Sequence, residues 1–213
     1  MAIIWPFSSS IEEYVKRGKD IDVPRPDCPK CSVPMVFWSS YKRYVRHLGK
    51  DLTICIKRAR CKGCKVTDSL LPSFLLLNRL DCVETIGTAV EAVFGEGSTI
   101  MAAGLGAGVP YTTTRGWIRS FNRCIIEIGS AFAALVIELG GDVTSFVDSY
   151  KTYALGAITN AYESVTKLPG WGLIGMWEFV SVVSGGRIIA TNINSPYLLI
   201  GKRCFIYPVP YRE

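Results

Sequence analysis

The sequence contains a single histidine, His47, and no apolar run of the about twenty uncharged residues that a membrane-spanning helix needs. Its most apolar stretch covers only 128–137 and is closed by Glu127 and Glu138. The N-terminus lacks the basic region that precedes the apolar core of a signal peptide. We therefore predict a soluble, cytoplasmic protein that does not associate with membranes.

Catalytic motifs are missing as well. The sequence has no Gly-x-x-x-x-Gly-Lys-Ser/Thr phosphate loop, no nucleophile motif and no further histidine to act as a base. A two-metal nuclease core needs a set of carboxylates on a mixed sheet. No strand–helix–strand pattern accompanies the acids after residue 123, which are Glu127, Glu138, Asp142, Asp148, Glu163, Glu178 and Glu213. We predict that the protein is not an enzyme.

Four of the eight cysteines form two C-x-x-C pairs, "CPKC" at 28–31 and "CKGC" at 61–64. In a chain without a secretory signal, two such pairs favour a metal site over disulfides or a redox pair. Each turn presents two thiolates, and two turns at the ends of a hairpin complete the tetrahedron that zinc prefers. We predict one structural Zn²⁺ held by four ligands: Cys28, Cys31, Cys61 and Cys64.

The other candidate ligands are weaker. His47 lies between the two pairs and is an alternative to one cysteine, and Cys55 is a further alternative within a predicted strand. Cys55, Cys82, Cys124 and Cys204 stand singly among apolar neighbours, where a cysteine usually behaves as a small core residue.

The segment between the pairs is rich in β-branched and aromatic residues. Leu52, Ile54 and Ile56 alternate with more polar neighbours, which is the period of a half-buried strand, and "LGKD" at 48–51 predicts a turn. Antiparallel strands with a cysteine knuckle at each end form a zinc ribbon. A unit this small is expected to depend on its metal for folding.

Positive charge is concentrated in this segment. Residues 41–65 hold nine lysines and arginines against one acid, Asp51, whereas the whole chain carries a net charge of +6. Such a block is the electrostatic signature of a protein that binds a polyanion. We predict DNA phosphate contacts from Lys42, Arg43, Arg46, Lys57, Arg58, Arg60, Lys62 and Lys65.

Helical spacing begins near residue 80 and includes a candidate helix-turn-helix. A short helix capped by Ser98 is followed by a glycine-rich turn and by a second helix that opens near Pro110. The motif needs a small residue where the two helices touch, a glycine in the turn, an apolar residue just after it and apolar anchors on the second helix. Gly104, Gly108 and Val109 occupy the first three positions, and Trp117 and Ile118 are the anchors. The alternative is an ordinary helical hairpin with a solvated polar face.

The second helix of this motif carries the residues that we expect in the major groove of double-stranded DNA. Short hydroxyl side chains near its N-terminus can approach phosphates, and arginines recur every four residues along one face. The predicted contacts are Tyr111, Thr112, Thr113, Arg115, Arg119 and Arg123.

The order of "CPKC", basic strands, "RARCKGCKVTDSLLP", a helix and "GSTIMAAGLGAGVPYTTTRGWIRSF" resembles the N-terminal region of zinc-ribbon, helix-turn-helix proteins found with bacterial insertion sequences and transposons. It looks in particular like small uncharacterised members without a nuclease domain, and the resemblance covers about 24–123. It implies DNA binding but no activity. By this resemblance the four knuckle cysteines are metal ligands, and Thr112, Thr113 and Arg115 begin the recognition helix. The glycine-heavy turn and Thr114 depart from the pattern.

An apolar heptad seam continues from this helix through Ile118, Phe121, Ile125, Ile128, Phe132, Leu135 and Leu139. The seam predicts either a homodimer through 118–139 or packing on later helices of the same chain. Trp171, Trp177 and Phe179 are expected in the core. If exposed, they would mark a surface for a transposase or ATPase partner.

The fold class that we predict is α+β, with a small antiparallel β zinc ribbon followed by a mainly α-helical helix-turn-helix domain and a helical C-terminal extension. The predicted units are an N-terminal helix and lead-in over 1–23, a zinc ribbon over 24–72, a helix-turn-helix over 73–123, and an extension with a strand-like tail over 124–213. The predicted function is binding of double-stranded DNA as an accessory or targeting protein of a mobile genetic element. The alternatives are a transcriptional regulator with the same parts and a protein-interaction adaptor whose basic patch is incidental.

Overall fold

The structure is a computed structural model that describes residues 2–141, 150–168 and 171–186. These residues form a mixed α+β fold with one four-stranded sheet and seven α-helices. The α+β class is therefore confirmed. Part of the predicted C-terminal extension, residues 142–149, and its strand-like tail from 187 onward lie outside the described residues, and with them Cys204, Asp142, Asp148 and Glu213.

The sheet is built around one long β-hairpin. Strands β2 (Met35–His47) and β3 (Lys50–Cys61) are antiparallel, and β4 (Thr67–Pro72) pairs antiparallel with β3. A short N-terminal strand, β1 (Ala2–Trp5), pairs parallel with β4, which makes the strand order β1-β4-β3-β2. The half-buried strand predicted over 52–57 is part of β3.

The turn of this hairpin has a left-handed backbone. Leu48 and Gly49 connect β2 to β3 with φ values of 45° and 78°. Two consecutive residues with positive φ are typical of a two-residue hairpin turn whose twist matches that of the strands. The turn predicted at "LGKD" is thereby confirmed, and the strand order leaves β2 at one edge of the sheet.

The helices follow the local signals in the sequence. Ser10 caps the first helix by accepting a hydrogen bond from the Glu13 amide, and Gly18 ends it. Thr99, and not Ser98, caps the third helix, because the Thr99 hydroxyl accepts from the Ala102 amide. The helices are α1 (Ile11–Arg17), α2 (Val83–Phe94), α3 (Ile100–Gly106), α4 (Tyr111–Arg123), α5 (Ile125–Glu138), α6 (Tyr150–Thr166) and α7 (Met176–Val183), with 3₁₀ turns at Gly18–Asp20 and Trp171–Leu173.

The heptad seam lies inside the chain. Helices α4 and α5 meet at Cys124 with a bend of 62°, and α5 packs along α6. Every seam residue from Ile118 to Leu135 is buried, and Leu139 is half-buried. The α5 part of the seam packs on α6, whereas the α4 part packs on the earlier helices α2 and α3, where the rings of Phe94 and Phe121 are 5.2 Å apart. Within the described ranges, no single helix is long and apolar enough to cross a membrane, and only the bent α4–α5 pair reaches that length and hydropathy.

One connected core crosses the boundaries between the predicted units. Buried side chains from Trp5 to Val183 form a single cluster that includes strands, helices and two of the knuckle cysteines. Helix α7 packs on α2 and on the segment after β4, where the Ser181 hydroxyl donates to the Leu75 carbonyl at 3.2 Å. Trp171, Trp177 and Phe179 are buried in this cluster. These three aromatic residues therefore belong to the core and do not form an exposed patch.

Candidate metal centre and nucleic-acid interface

The four cysteines of the two C-x-x-C pairs converge on one point. Their Sγ atoms all lie within 4.8 Å of one another, and Cys28–Cys64 and Cys31–Cys61 are each 3.4 Å apart. Cys28 and Cys61 are buried, whereas Cys31 and Cys64 are exposed. None of the seven cysteines that the structure describes forms a disulfide. The tetrad therefore presents four free thiols, two of them open to solvent.

The two knuckles share one backbone geometry. In each, the amide of the first cysteine donates to the carbonyl of a valine five residues later, Cys28 to Val33 at 3.0 Å and Cys61 to Val66 at 2.8 Å. The residue after the second cysteine is left-handed in both, with φ of 56° at Ser32 and 63° at Lys65. The shared geometry was readable from the sequence, because both knuckles have the pattern C-x-x-C-x-V, in "CPKCSV" and "CKGCKV". The prediction used only the two cysteines of each.

The second knuckle favours the thiolate form of its first cysteine. Burial acts to raise the pKa of Cys61, but the N–H of Cys64, the thiol of Cys31 and the N–H of Gly63 donate to its Sγ and together lower the pKa to about 6. The thiolate is the form that binds a metal. The backbone N–H groups of the loop therefore help to keep Cys61 in its thiolate form at neutral pH.

The tetrad fits one metal ion. A metal–sulfur distance of about 2.3 Å places the sulfurs of a tetrahedral site about 3.8 Å apart, and the observed separations surround that value. Four thiols at this spacing are a soft donor set with each coordination position supplied by protein. The predicted ligands Cys28, Cys31, Cys61 and Cys64 are thus brought together, and the site is compatible with a single ion.

The two alternative ligands lie elsewhere. His47 ends β2 next to the hairpin turn, and its Nε2 is 3.7 Å from the Glu84 carboxylate. Strand β3 has 12 residues, so at about 3.3 Å per residue the turn is roughly 35 Å from the knuckles. Cys55 is buried in the middle of β3, where its carbonyl accepts from Tyr14 at 3.0 Å. His47 and Cys55 therefore do not complete the metal site.

Helices α2 and α3 pack against each other, and both pack against α4. They attach α4 to the rest of the fold. At the α3–α4 crossing a β-carbon on Gly104 would stand 2.7 Å from Thr114 Oγ1 and 3.0 Å from the Val109 carbonyl. Val109, Trp117 and Ile118 are buried, as the motif positions predict. Thr114 is also fully buried, and its hydroxyl donates to the Pro110 carbonyl at 3.2 Å. A threonine is accommodated at this anchor because its own helix satisfies the hydroxyl.

The outer face of α4 is basic and exposed. Tyr111, Arg115, Arg119 and Arg123 follow one another at four-residue intervals, and each is exposed. Thr112 is exposed beside them and Thr113 is half-buried, while α4 itself contains no aspartate or glutamate. The predicted contact residues of this helix therefore share one continuous surface of positive charge.

Two arginines of the hairpin have partners inside the fold. The Arg43 guanidinium donates to the carbonyls of Leu76, at 2.7 Å, and of Arg79, and its burial lowers its pKa. The Nε atom of Arg46 donates to Asp81 at 2.6 Å. These bonds attach the hairpin to the segment that leads into α2. The structure thus places Arg43 and Arg46 at the contact between the hairpin and this segment, and their phosphate contacts stay a prediction.

The remaining basic residues of the hairpin divide between two faces of the sheet. Lys42, Lys62 and Lys65 are exposed, and Lys57, Arg58 and Arg60 are half-buried. Because side chains alternate along a strand, Lys57 points away from the face that carries Arg58 and Arg60. Its ammonium lies 5.3 Å from the centre of the Phe37 ring. The predicted basic block is therefore two separate surfaces.

Sequence reasoning assigned the aromatic residues of β2 to strand propensity and missed their exposure. Phe37, Trp38, Tyr41 and Tyr44 are each between 39% and 59% exposed, and Trp38 is the most exposed of the four. Their alternation with lysine and arginine in "FWSSYKRYVR" was the available signal.

Residues 28–105 match a protein-family model described as a domain of unknown function (DUF6431). The match begins at the first metal-site cysteine, spans the hairpin and α2, and ends within α3. It covers less than half of the chain. No curated protein and no solved structure matches the sequence.

Proposed function

We propose that this protein binds double-stranded DNA, with α4 as the recognition helix and the exposed lysines of the hairpin as further phosphate contacts. The observation that carries the proposal is the stripe of Tyr111, Arg115, Arg119 and Arg123 along α4. The opposite face of the same helix is buried, so the stripe is held rigidly toward solvent. A rigid basic helix without acidic side chains suits the major groove of a duplex.

The packing of α3 against α4 also supports this function. Helix α3 crosses it at Gly104, where only a residue without a β-carbon allows the close approach. The N-terminal turn of α4 carries Thr112 and Thr113, whose hydroxyls, together with the helix N-terminus, suit phosphate oxygens. We therefore interpret α2, α3 and α4 as a helix-turn-helix unit.

We further propose that the tetrad holds one zinc ion and that the knuckles and hairpin are a zinc ribbon. Four thiolates are the donor set of structural zinc sites, and protein ligands at every position leave no place for a substrate. In this proposal the ion stabilises the knuckle end of the hairpin, and the protein has no enzymatic activity.

The proposed setting is the cytoplasm, as an accessory or targeting factor of a mobile genetic element, with a transposase or ATPase of that element as partner. This setting follows from the resemblance described above and not from the geometry of α4. A transcriptional regulator with the same DNA-binding parts is the alternative. Footprinting separates the two, because element ends and promoters are different sites.

The test is duplex affinity as a function of salt. For the full-length protein and a labelled random duplex, the logarithm of the binding constant should fall by about 0.9 per log unit of salt for each phosphate neutralised. Substitution Arg119→Ala should weaken binding and reduce this slope by about one. The slope is the informative quantity because it counts phosphate contacts directly.

A matched control removes the same charge from another surface. Lys167 is exposed after the end of α6, on neither α4 nor the hairpin. Lys167→Ala should leave both the affinity and the slope unchanged. Equal slopes for Arg119→Ala and the wild type would contradict the assignment of α4. Weak binding that does not respond to salt would instead favour the adaptor function.

A further inference from the structure

A second surface on this chain lies at the knuckle end of the sheet, away from α4. Trp38 is 59% exposed, and the guanidinium carbon of Arg60 lies 4.5 Å from the centre of its ring system. Tyr41, 40% exposed, places its hydroxyl 3.4 Å from Ser69 Oγ. These contacts involve three adjacent strands, β2, β3 and β4, so the surface is a sheet face and not a loop.

Strand register shows that these side chains share one face. Arg58 on the central strand is paired with Ser39 on β2 and with Ser69 on β4, and residues paired in this way point to the same side. Arg60 is two residues further along β3 and therefore also lies on that side. Tyr41 reaches Ser69 across β3, which places it over the same face.

The face carries positive charge without a carboxylate. Of the residues in 35–41, 56–61 and 67–69, only Asp68 is acidic, and it is fully buried on the opposite side of β4. Arg58 and Arg60 lie at the centre of the face, and Lys62 is exposed in the adjoining knuckle. An anionic ligand therefore meets no opposing charge from these segments.

We propose that this face, formed by Trp38, Tyr41, Arg58 and Arg60, binds the unpaired bases of single-stranded DNA. Exposed aromatic rings beside arginines are the combination that single-strand-binding sheets use, because bases stack on the rings while cations meet the phosphates. A duplex offers no base face to Trp38, since its bases are stacked on one another. The proposed site thus goes beyond duplex recognition by α4 and does not depend on it.

Trp38 supplies its own spectroscopic probe. All five tryptophans lie in the described residues, and Trp5, Trp117, Trp171 and Trp177 are at most 8% exposed. Quenching of tryptophan emission by unlabelled oligo-dT therefore reports on Trp38 alone. The full-length, metal-loaded protein should show saturable quenching, and Trp38→Ala should abolish the quenching.

Affinity is measured separately by the anisotropy of labelled oligo-dT. Trp38→Ala should weaken binding by about ten-fold or more, since stacking on an aromatic side chain contributes about 1–3 kcal/mol per base. Trp38→Phe should retain most of the affinity because a ring remains. Arg60→Gln, which leaves the indole in place, should also weaken binding, whereas Lys167→Ala should not.

The two DNA surfaces are told apart by exchanging the variants. Arg119→Ala should leave oligo-dT binding unchanged, and Trp38→Ala should leave duplex binding unchanged. The single-strand proposal is overturned if oligo-dT causes no quenching, if Trp38→Ala binds oligo-dT like the wild type, or if oligo-U binds more tightly than oligo-dT. Circular dichroism of each variant checks that the fold is retained.

Discussion

Gly49 and Gly108 lie backbone against backbone. A β-carbon on Gly108 would stand 2.6 Å from the Gly49 Cα atom, and both glycines have positive φ, 68° and 78°. Gly49 belongs to the hairpin turn and Gly108 to the turn between α3 and α4. Beside them, the Leu48 amide donates to the Thr85 hydroxyl at 2.9 Å. The two turns are therefore held at one point, which sets the direction of the hairpin relative to α4.

This contact predicts that Gly108→Ala is strongly destabilising. A left-handed alanine costs about 1–2 kcal/mol, and overpacking against a backbone that cannot rotate away costs about 1–3 kcal/mol more. The free energy of unfolding, measured by urea titration, should fall by about 2–5 kcal/mol.

Gly106→Ala is the matched control for this substitution. A β-carbon there meets nothing within 4 Å, and Gly106 has no positive φ. It should be neutral or stabilising by up to about 1 kcal/mol, because alanine favours a helix. Equal effects of the two substitutions would show that the contact between the turns contributes nothing.

The metal tetrad predicts one bound ion per chain, lost when a ligand is removed. Cys64→Ser should abolish stoichiometric zinc, measured by elemental analysis, and should also abolish the thiolate absorption band of the Co²⁺-substituted protein. Cys124→Ser removes a half-buried cysteine outside the tetrad and should leave both signals intact. Retention of a full equivalent of metal in Cys64→Ser would rule out a four-cysteine site.

Metal removal should loosen only one end of the hairpin. The knuckle amides of Cys28 and Cys61 are bonded within their loops, whereas the amides of Arg46 and Cys82 bond across the junction with α2. Because the sheet shares the core of the whole chain, chelation should speed hydrogen exchange at the knuckles and leave the junction protected. Uniform loss of protection would instead mean that the whole fold depends on the metal.

Local signals predicted much of this fold. The hairpin turn at 48–51 and the start of α4 near Pro110 were readable because each depends on a few neighbouring residues. The metal ligands were readable for the same reason, since C-x-x-C is a local motif. Strand β1 was not predicted, because four residues that pair with β4 more than sixty positions away leave no local pattern.

Charge alone did not reveal the internal partners of two arginines. In the sequence Arg43 and Arg46 are members of one basic block, and nothing near them indicates that Leu76 and Asp81 will be their partners. The partners are supplied by the docking of the hairpin on the segment before α2, a tertiary relationship. The bend at Cys124 was hidden likewise, because the heptad spacing continues through it.

The crossing of α3 and α4 predicts that Gly104→Ala is destabilising. The new methyl group would stand 2.7 Å from Thr114 Oγ1 and 3.0 Å from the Val109 carbonyl oxygen, so a buried neighbour must shift to accommodate it. The free energy of unfolding should fall by about 1–3 kcal/mol. Gly116→Ala, where a β-carbon meets nothing within 4 Å, should stabilise α4 by about 0.5–1 kcal/mol. A stabilising effect of Gly104→Ala would contradict the close approach of the two helices.

The carboxyl group of Glu178 predicts that stability depends on pH. Burial raises the pKa of Glu178 from 4.5 to about 7, opposed in part by a hydrogen bond from Ser73 and reinforced by the charge of Glu84. The folded state therefore binds more protons than the unfolded state between these two values. Stability should fall as the pH rises from about 4.5 through about 7, by on the order of 2 kcal/mol from this group.

Glu178→Gln isolates this contribution, because the amide cannot ionise and still accepts from Ser73. Above about pH 7 the variant should be more stable than the wild type, and well below pH 4.5, where Glu178 is largely protonated in both states, the two should converge. Glu163→Gln, which neutralises an exposed carboxylate on α6, should leave the difference near zero at every pH. A constant offset between Glu178→Gln and the wild type would contradict a raised pKa, because an unshifted carboxyl group contributes no slope between the two values.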